Sequence, residues 1–211
     1  MEETIESAIP NIVVDIIRSL GNMLPDPDDV STWDLESKRK IYMQSYVDDS
    51  LLAIQRRILR WNIEDKGKPV ESREPIWLYL MSYGGELDYM WTIIDTIRMS
   101  ATPVYTVNLG VCDSAAGLIF ISGHRRFMFP TGRVIIHEGS AVVSGDAVKV
   151  MDQTELYKKQ LAQMKEYVLA NTKIPRRQLM KKRSNDWELD AKYCLENGVC
   201  DVIINSLEEI C

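Results

Sequence analysis

The stretch PVYTVNLGVCDSAAGLIFISG, residues 103–123, decides the fold. Its first six residues are typical of a strand, and residues 113–122 predict a helix of small and aliphatic side chains. We expect the chain to turn at Gly110, which places Asp113 and Ser114 just before the helix. Polar residues at that position are most often helix caps, so this stretch alone leaves open whether Ser114 caps the helix or attacks a substrate.

The sequence on both sides continues to alternate between strand and helix patterns. Strands are expected at KIYMQSYV, IWLYLM, RFMF, RVIIHE and DVII. Helices are expected at residues 51–63, 86–100, 146–171, 175–183 and 190–197. Strands that alternate with helices over short connections predict an α/β fold built from βαβ units around a mainly parallel sheet.

The N-terminal segment, residues 1–36, has a different character and is predicted to be an appendage to a main domain at 37–211. AIPNIVVDIIRSLG is compatible with a short helix, and the prolines and aspartates of LPDPDDVSTWDL predict a break in regular structure. The apolar run IVVDII is too short and too charged to span a bilayer.

Composition excludes several classes of function. The chain has 211 residues, 45% of them hydrophobic, and a net charge of −6, without the basic stripe that nucleic-acid binding requires. Its four cysteines lack metal-ligand spacing, so we expect no metal site. Scattered cysteines without a signal peptide favour a reducing cytoplasm and no membrane association.

Three strand ends carry the chemistry that a serine hydrolase needs. Parallel strands gather functional groups beyond their carboxyl ends, which here are MSYGGE, GVCDSAAG and His137. Ser114 can supply a nucleophile, His137 a general base, and the Gly84–Gly85 backbone can donate N–H groups to an oxyanion. The alternatives are a capping serine, an ordinary turn and a structural histidine, with Asp113 expected to cap the helix.

Several stretches in order resemble the proteolytic subunit of the Clp protease (ClpP) over residues 39–205. They are IWLYLMSYGGELDYMWTIIDTIR, VYTVNLGVCDSAAGLIFISG, RFMFPTGRVIIHEGS, SGDA and CLENGVCDVI. The loop at 122–126 is shorter than in usual members of the family, and the stretch SGHRRFMFP is similar to divergent, phage-associated members. The resemblance implies a ClpP/crotonase-like fold with a protruding handle helix at about 140–171.

The same resemblance implies an activity and an assembly. The expected activity is serine-type endopeptidase, acting on unfolded polypeptides inside two stacked heptameric rings. The implied partner is a hexameric AAA+ ATPase of the Clp type, and the peptidase itself needs no cofactor.

The family's site residues map onto this sequence one by one. Its nucleophile falls on Ser114, its base on His137, and its oxyanion donors on the backbone of Gly85 and Ala115. The segment that would bind substrate as an added strand includes Ser140, Val142 and Gly145.

The third member of the family's triad is an aspartate, and here this sequence departs from the family's pattern. Counting back from Gly198 without gaps places Lys182 there, and Asp186 matches a second acidic position four residues later. Asp186 or Asn185 would serve if the local helix is shifted, and a Ser–Lys dyad is a third arrangement. Loss of the acid lowers kcat about 10⁴-fold in serine proteases.

Two other functions remain open at this point. One is a catalytically impaired ClpP-like subunit that contributes interfaces to a mixed ring, which the missing aspartate favours. The other is a crotonase-type acyl-CoA enzyme, which shares the fold and uses paired backbone N–H groups. The presence of both Ser114 and His137 favours the peptidase.

Overall fold

The computed structural model describes residues 26–182 and 186–211, and it divides after Arg39 into two compact units. The boundary predicted after residue 36 stays a prediction. The helices are α1 Pro27–Ser37, α2 Leu52–Glu64, α3 Leu87–Met99, α4 Ala115–Ile121, α5 Ala147–Asn171, α6 Arg176–Lys182 and α7 Ala191–Glu196. The strands are β1 Lys40–Met43, β2 Ile76–Ser82, β3 Val104–Asp113, β4 Arg125–Met128, β5 Arg133–Ile136, β6 Trp187–Asp190 and β7 Val202–Ile203.

The described strands form one sheet in which β1, β2, β3, β4 and β7 lie side by side and parallel. Strand β5 pairs parallel with β3, and β6 pairs antiparallel with β5. The predicted α/β fold with a mainly parallel sheet is confirmed. Strand β6 is an addition to the prediction, and its alternating burial of Trp187 and Leu189 is typical of a strand with one covered face.

The predicted turn at Gly110 is wrong, because β3 continues through it to Asp113. The register of β3 against β2 shifts between the pairs Leu80–Asn108 and Ser82–Cys112. Before this shift β3 pairs with β4, and after it β3 pairs with β5. An irregularity of this kind bends a strand and allows it to change partners.

The predicted break at LPDPDDVSTWDL is also wrong, because α1 spans most of this stretch. Asp26 accepts a hydrogen bond from the N–H of Asp28, and Pro27 occupies the first turn, where its missing N–H costs nothing. The same residues that signal a break therefore start a helix. The helix expected at AIPNIVVDIIRSLG lies outside the described residues.

The core of the larger unit lies on both faces of the sheet. One cluster includes Leu78, Ile94 and Phe120 from β2, α3 and α4, and the second includes Tyr79, Val107 and Phe127. Packing on two faces fixes the strand ends, where the candidate residues lie. Within residues 26–182 and 186–211, no helix is both long and apolar enough to cross a membrane.

Candidate active site

Ser114 lies at the junction between β3 and α4 in a strained backbone conformation. Its φ of 56° and ψ of −125° are rare for a residue with a side chain, and such strain costs about 1–3 kcal/mol. Its N–H donates to the carbonyl of Ile135 at 2.8 Å, which holds the turn against β5. A serine on a sharp strand-to-helix turn presents its hydroxyl outward, as nucleophilic serines do on other folds.

The hydroxyl of Ser114 is not used to cap the helix. Ser114 is the N-cap of α4, and its side chain makes no capping hydrogen bond within the part of the chain that the structure describes. The prediction that Asp113 caps this helix is wrong, because the N-cap is Ser114 and Asp113 is the last residue of β3, where its Oδ2 accepts a hydrogen bond from Arg133 at 3.1 Å. This hydrogen bond raises the pKa of Arg133 and joins the strand that carries Ser114 to the strand that leads to His137.

The backbone of Gly84 and Gly85 passes directly beside Ser114. The N–H of Val47 donates to the carbonyl of Gly84 at 2.9 Å, and the N–H of Glu86 donates to the carbonyl of Val47 at 2.8 Å. The side of this segment that faces Val47 is therefore hydrogen-bonded. Because neighbouring N–H groups in extended backbone point in opposite directions, the N–H of Gly85 faces away from Val47. A side chain at Gly84 would lie 2.7 Å from the Cβ of Ser114, which explains the need for glycine.

His137 is the first residue after β5. The strand register places it near Ser114, which follows β3, and near Asp186, which precedes β6. Asp113 of β3 is paired with Ile135, so Ser114 and His137 follow adjacent parallel strands at the same edge of the sheet. On the other side Ile136 is paired with Trp187 in antiparallel register, which places the preceding residue, Asp186, opposite His137. The Nδ1 atom of His137 lies 3.0 Å from Oδ1 of Asp186.

Strand register therefore places Ser114 at the same edge of the sheet as the His137–Asp186 pair, and the backbone of Gly84 lies beside Ser114. Ala115 is the first residue of α4, where N–H groups have no partner within the helix. Lys182 is the last residue of α6, and Asn185 lies outside the described residues. The Asp186 carboxylate is 72% exposed, in contrast to a fully buried triad acid.

The segment between His137 and α5 runs without strand pairing. Ser140, Val142 and Gly145 lie in this segment, and the Val142 side chain is 99% exposed. The backbone of residues 140–145, which is largely exposed and outside any strand, can pair with another extended chain.

An apolar recess lies beside His137 and was not anticipated from the sequence. It is bounded by residues from α4, β5, α5, α6 and β6: Leu118, Ile136, Leu161, Met164, Leu179 and Trp187. Helical periodicity in α5 and α6 could have identified two of its walls, but the meeting of five elements depends on the tertiary fold.

Over residues 26–182 and 186–211, no three His, Cys, Asp or Glu side chains lie close enough together to hold a metal ion. The groups at the site are a hydroxyl, an imidazole, a carboxylate and backbone N–H groups, which together suit acyl transfer.

The sequence is similar to those of known proteins. The family model described as Clp protease matches residues 29–207. The ATP-dependent Clp protease proteolytic subunit 1 of Protochlamydia amoebophila is 32% identical over 178 residues, which cover 82% of this chain and 83% of that protein. The subunit 1 of Frankia casuarinae is 27% identical over 199 residues, which cover 92% of this chain and 90% of that protein.

A solved structure shows the same fold. A ClpP1 mutant from Listeria monocytogenes superimposes with a TM-score of 0.71 over 84% of this chain and 97% of that chain, at 19% identity. At this identity the likeness establishes the fold alone.

Proposed function

The chain belongs to the Clp protease family, and from this membership we propose that it is a catalytically active serine endopeptidase, the proteolytic subunit of an ATP-dependent Clp protease. The resemblance drawn from the sequence is confirmed at the level of the family and the fold. The observation that carries the proposed activity is the strained backbone of Ser114, whose hydroxyl is free of capping, at the same sheet edge as the His137–Asp186 pair.

The proposed mechanism begins with acylation of Ser114. Its Oγ attacks the scissile carbonyl carbon, and His137 accepts the hydroxyl proton and passes it to the leaving amine. The Asp186 carboxylate, whose Oδ1 lies 3.0 Å from Nδ1 of His137, stabilises the imidazolium that forms. Water then hydrolyses the acyl-enzyme with His137 as base.

The oxyanion is held by the N–H groups of Gly85 and Ala115. Gly85 N–H is directed away from Val47, and Ala115 N–H belongs to the first turn of α4. Removing one such donor costs about 3–4 kcal/mol of transition-state stabilisation in subtilisin. The substrate lies as an added strand along Ser140, Val142 and Gly145.

The proposed setting is that of the family. The chain forms two stacked heptameric rings in the cytoplasm, with α5 as the handle between them, and receives unfolded polypeptide from an AAA+ ATPase of the Clp type. No nucleic acid or membrane takes part.

The test is covalent labelling of the purified protein with a fluorophosphonate probe. We expect the wild-type chain and the control Ser72→Ala to be labelled, and Ser114→Ala and His137→Ala to remain unlabelled. Because Asp186 already contacts His137, Lys182→Asp should label no faster than wild type. Absence of labelling in the assembled wild-type particle would overturn the peptidase and favour the catalytically impaired structural subunit.

A further inference from the structure

Glu138, the residue directly after His137, is bound twice by helix α5. Its Oε1 lies 2.6 Å from Nζ of Lys165, a charge contact without hydrogen-bond geometry, and its main-chain carbonyl accepts a hydrogen bond from the hydroxyl of Tyr157 at 2.7 Å. Tyr157 and Lys165 are eight residues apart, which is about 12 Å along a helix. Contacts this far apart along α5 fix both the position and the direction of the backbone that leaves His137.

The ion pair is partly withdrawn from solvent. The side chains of Lys165 and Glu138 are 22% and 31% exposed, and both residues border the recess that His137 also lines. Charges in such a position are screened less than charges at the surface. An uncompensated charge at either residue would therefore act on the imidazole.

Within the part of the chain that the structure describes, the other charged side chains beside Glu138 have partners. On its outer side Arg176 pairs with Glu166 at 2.7 Å and Lys158 pairs with Glu155 at 2.8 Å. On the opposite side of His137 lies the Asp186 carboxylate. Together with the Tyr157 hydroxyl, these are the titratable and charged groups that face residues 137 and 138 among the described side chains of α5, α6 and the start of β6.

We propose that the Glu138–Lys165 ion pair, together with the Tyr157 hydrogen bond, positions His137 for catalysis and keeps the local charge beside the imidazole balanced. Glu138 and Lys165 are positioning residues, since they act on the reaction through His137. The inference rests on the proposed peptidase activity, because it assigns these residues a role in that same site.

The test measures the rate of fluorophosphonate labelling against pH for a set of charge variants. Lys165→Met leaves the Glu138 carboxylate without its partner and favours the imidazolium, so the midpoint of the rate profile moves to higher pH. Glu138→Gln leaves the Lys165 ammonium unpaired and moves the midpoint to lower pH. The double variant returns the midpoint to that of wild type.

The rates provide a second readout. Since a misplaced catalytic group can cost about 100-fold, we expect the plateau rate of both single variants to fall between about 10- and 100-fold. Lys165→Arg keeps the charge and should restore most of the rate. Tyr157→Phe removes only the hydrogen bond, so its rate falls without a change in midpoint. Lys158→Met removes a lysine from the same helix and is the matched control.

The outcomes separate the two proposals. A wild-type protein that does not label at any pH overturns the peptidase itself. A labelled wild type whose Lys165→Met and Glu138→Gln midpoints coincide, or shift in the same direction, overturns the positioning role and leaves the peptidase intact. Opposite shifts that cancel in the double variant support the inference.

Discussion

Asp186 illustrates at the residue scale why a count along the sequence cannot assign the third catalytic group. Counting back from Gly198 assumes that the intervening segment has the family's length, and it leads to Lys182. The pairing of β5 with β6 depends instead on hydrogen bonds and on burial of Trp187, and it places Asp186 opposite His137. Strand register therefore favours Asp186, which the sequence already offered beside Lys182, although the strand around DWELD that places it there was not predicted.

Substitution of Asp186 by asparagine should slow acylation while the fold is preserved. The amide cannot stabilise an imidazolium as a carboxylate does, and the corresponding loss in a buried triad is about 10⁴-fold. Because the Asp186 carboxylate is 72% exposed, we expect a smaller loss, about 10²- to 10³-fold. Labelling rates with Glu188→Gln, which neutralises an exposed carboxylate two residues further along β6, provide the comparison. An unchanged rate in Asp186→Asn would remove Asp186 from the mechanism.

Gly84→Ala should abolish labelling, whereas Gly67→Ala should leave it intact. Both glycines have positive φ, of 99° and 88°, so each alanine carries a similar backbone cost of about 1–2 kcal/mol. They differ in surroundings: the new Cβ at Gly84 would lie 2.7 Å from the Asp113 carbonyl and from Ser114, and the one at Gly67 meets nothing within 4 Å. Thermal unfolding and labelling of both variants measure strain and activity separately. Equal activity in the two would show that the approach of Gly84 to Ser114 is unimportant.

At the scale of elements, Arg126 of β4 joins three parts of the fold. Its guanidinium binds the carboxylate of Asp201 through two nitrogens, at 2.9 and 2.7 Å, and donates to the carbonyls of Asn171 and Gly198. These partners belong to the C-terminal end of α5 and to the segment between α7 and β7. Burial by itself would raise the pKa of Asp201, but the hydrogen bonds and charge of Arg126 outweigh burial and lower it.

The Arg126–Asp201 pair predicts a pH-dependent difference in the free energy of unfolding between wild type and Asp201→Asn. A carboxyl whose pKa is lowered in the folded state adds stability above its unfolded pKa of about 4, and the gain is lost as pH falls toward the folded pKa. Asp201→Asn should therefore reduce the free energy of unfolding at pH 7, by about 1–2 kcal/mol, given that the Asp201 side chain is 37% exposed. Urea unfolding at pH 7 and pH 3 should show this difference shrinking at the lower pH. A difference independent of pH, or equal to that of the surface control Glu71→Gln, would contradict it.

The helices and strands differed in how accurately they could be predicted from the sequence. The amphipathic helices α2 and α3 were predicted within two residues, because their apolar spacing matches the one face that the core covers. The continuation of β3 through Gly110 was missed, since a glycine there is equally compatible with a turn and with an irregular strand. Helix α1 was missed because proline and aspartate signal both a break and a helix start.

At the scale of the whole molecule, the candidate site depends on the order and direction of the strands in the sheet. Ser114, His137 and Asp186 are separated by up to 72 positions in the sequence, and each taken alone is compatible with an ordinary structural role. Parallel strands could be predicted to bring Ser114 and His137 to one edge. The antiparallel addition of β6 and the contacts of α5 with Glu138 could not, since they depend on long-range packing that no local pattern encodes.

Helix α5 extends this argument to assembly. Its C-terminal half packs on the core through Met164 and Val168, whereas its N-terminal half exposes Val148, Met151 and Leu156 at 67%, 68% and 58%. Apolar side chains on one exposed helix are typical of an interface. This distribution agrees with the proposed role of α5 as the handle between two rings.

Replacement of Met151 by glutamate should therefore halve the mass of the particle. Burying a carboxylate in an apolar contact without a partner costs several kcal/mol, and each of the seven proposed ring-to-ring contacts would bear that cost. Native mass spectrometry or analytical ultracentrifugation should show single heptameric rings for Met151→Glu and two stacked rings for wild type. Val70→Glu changes an exposed valine that lies outside α5, at 47% exposure, and should keep the full particle. A Met151→Glu particle of unchanged mass would remove α5 from the interface, whereas loss of all assembly in both variants would indicate a general effect of added charge.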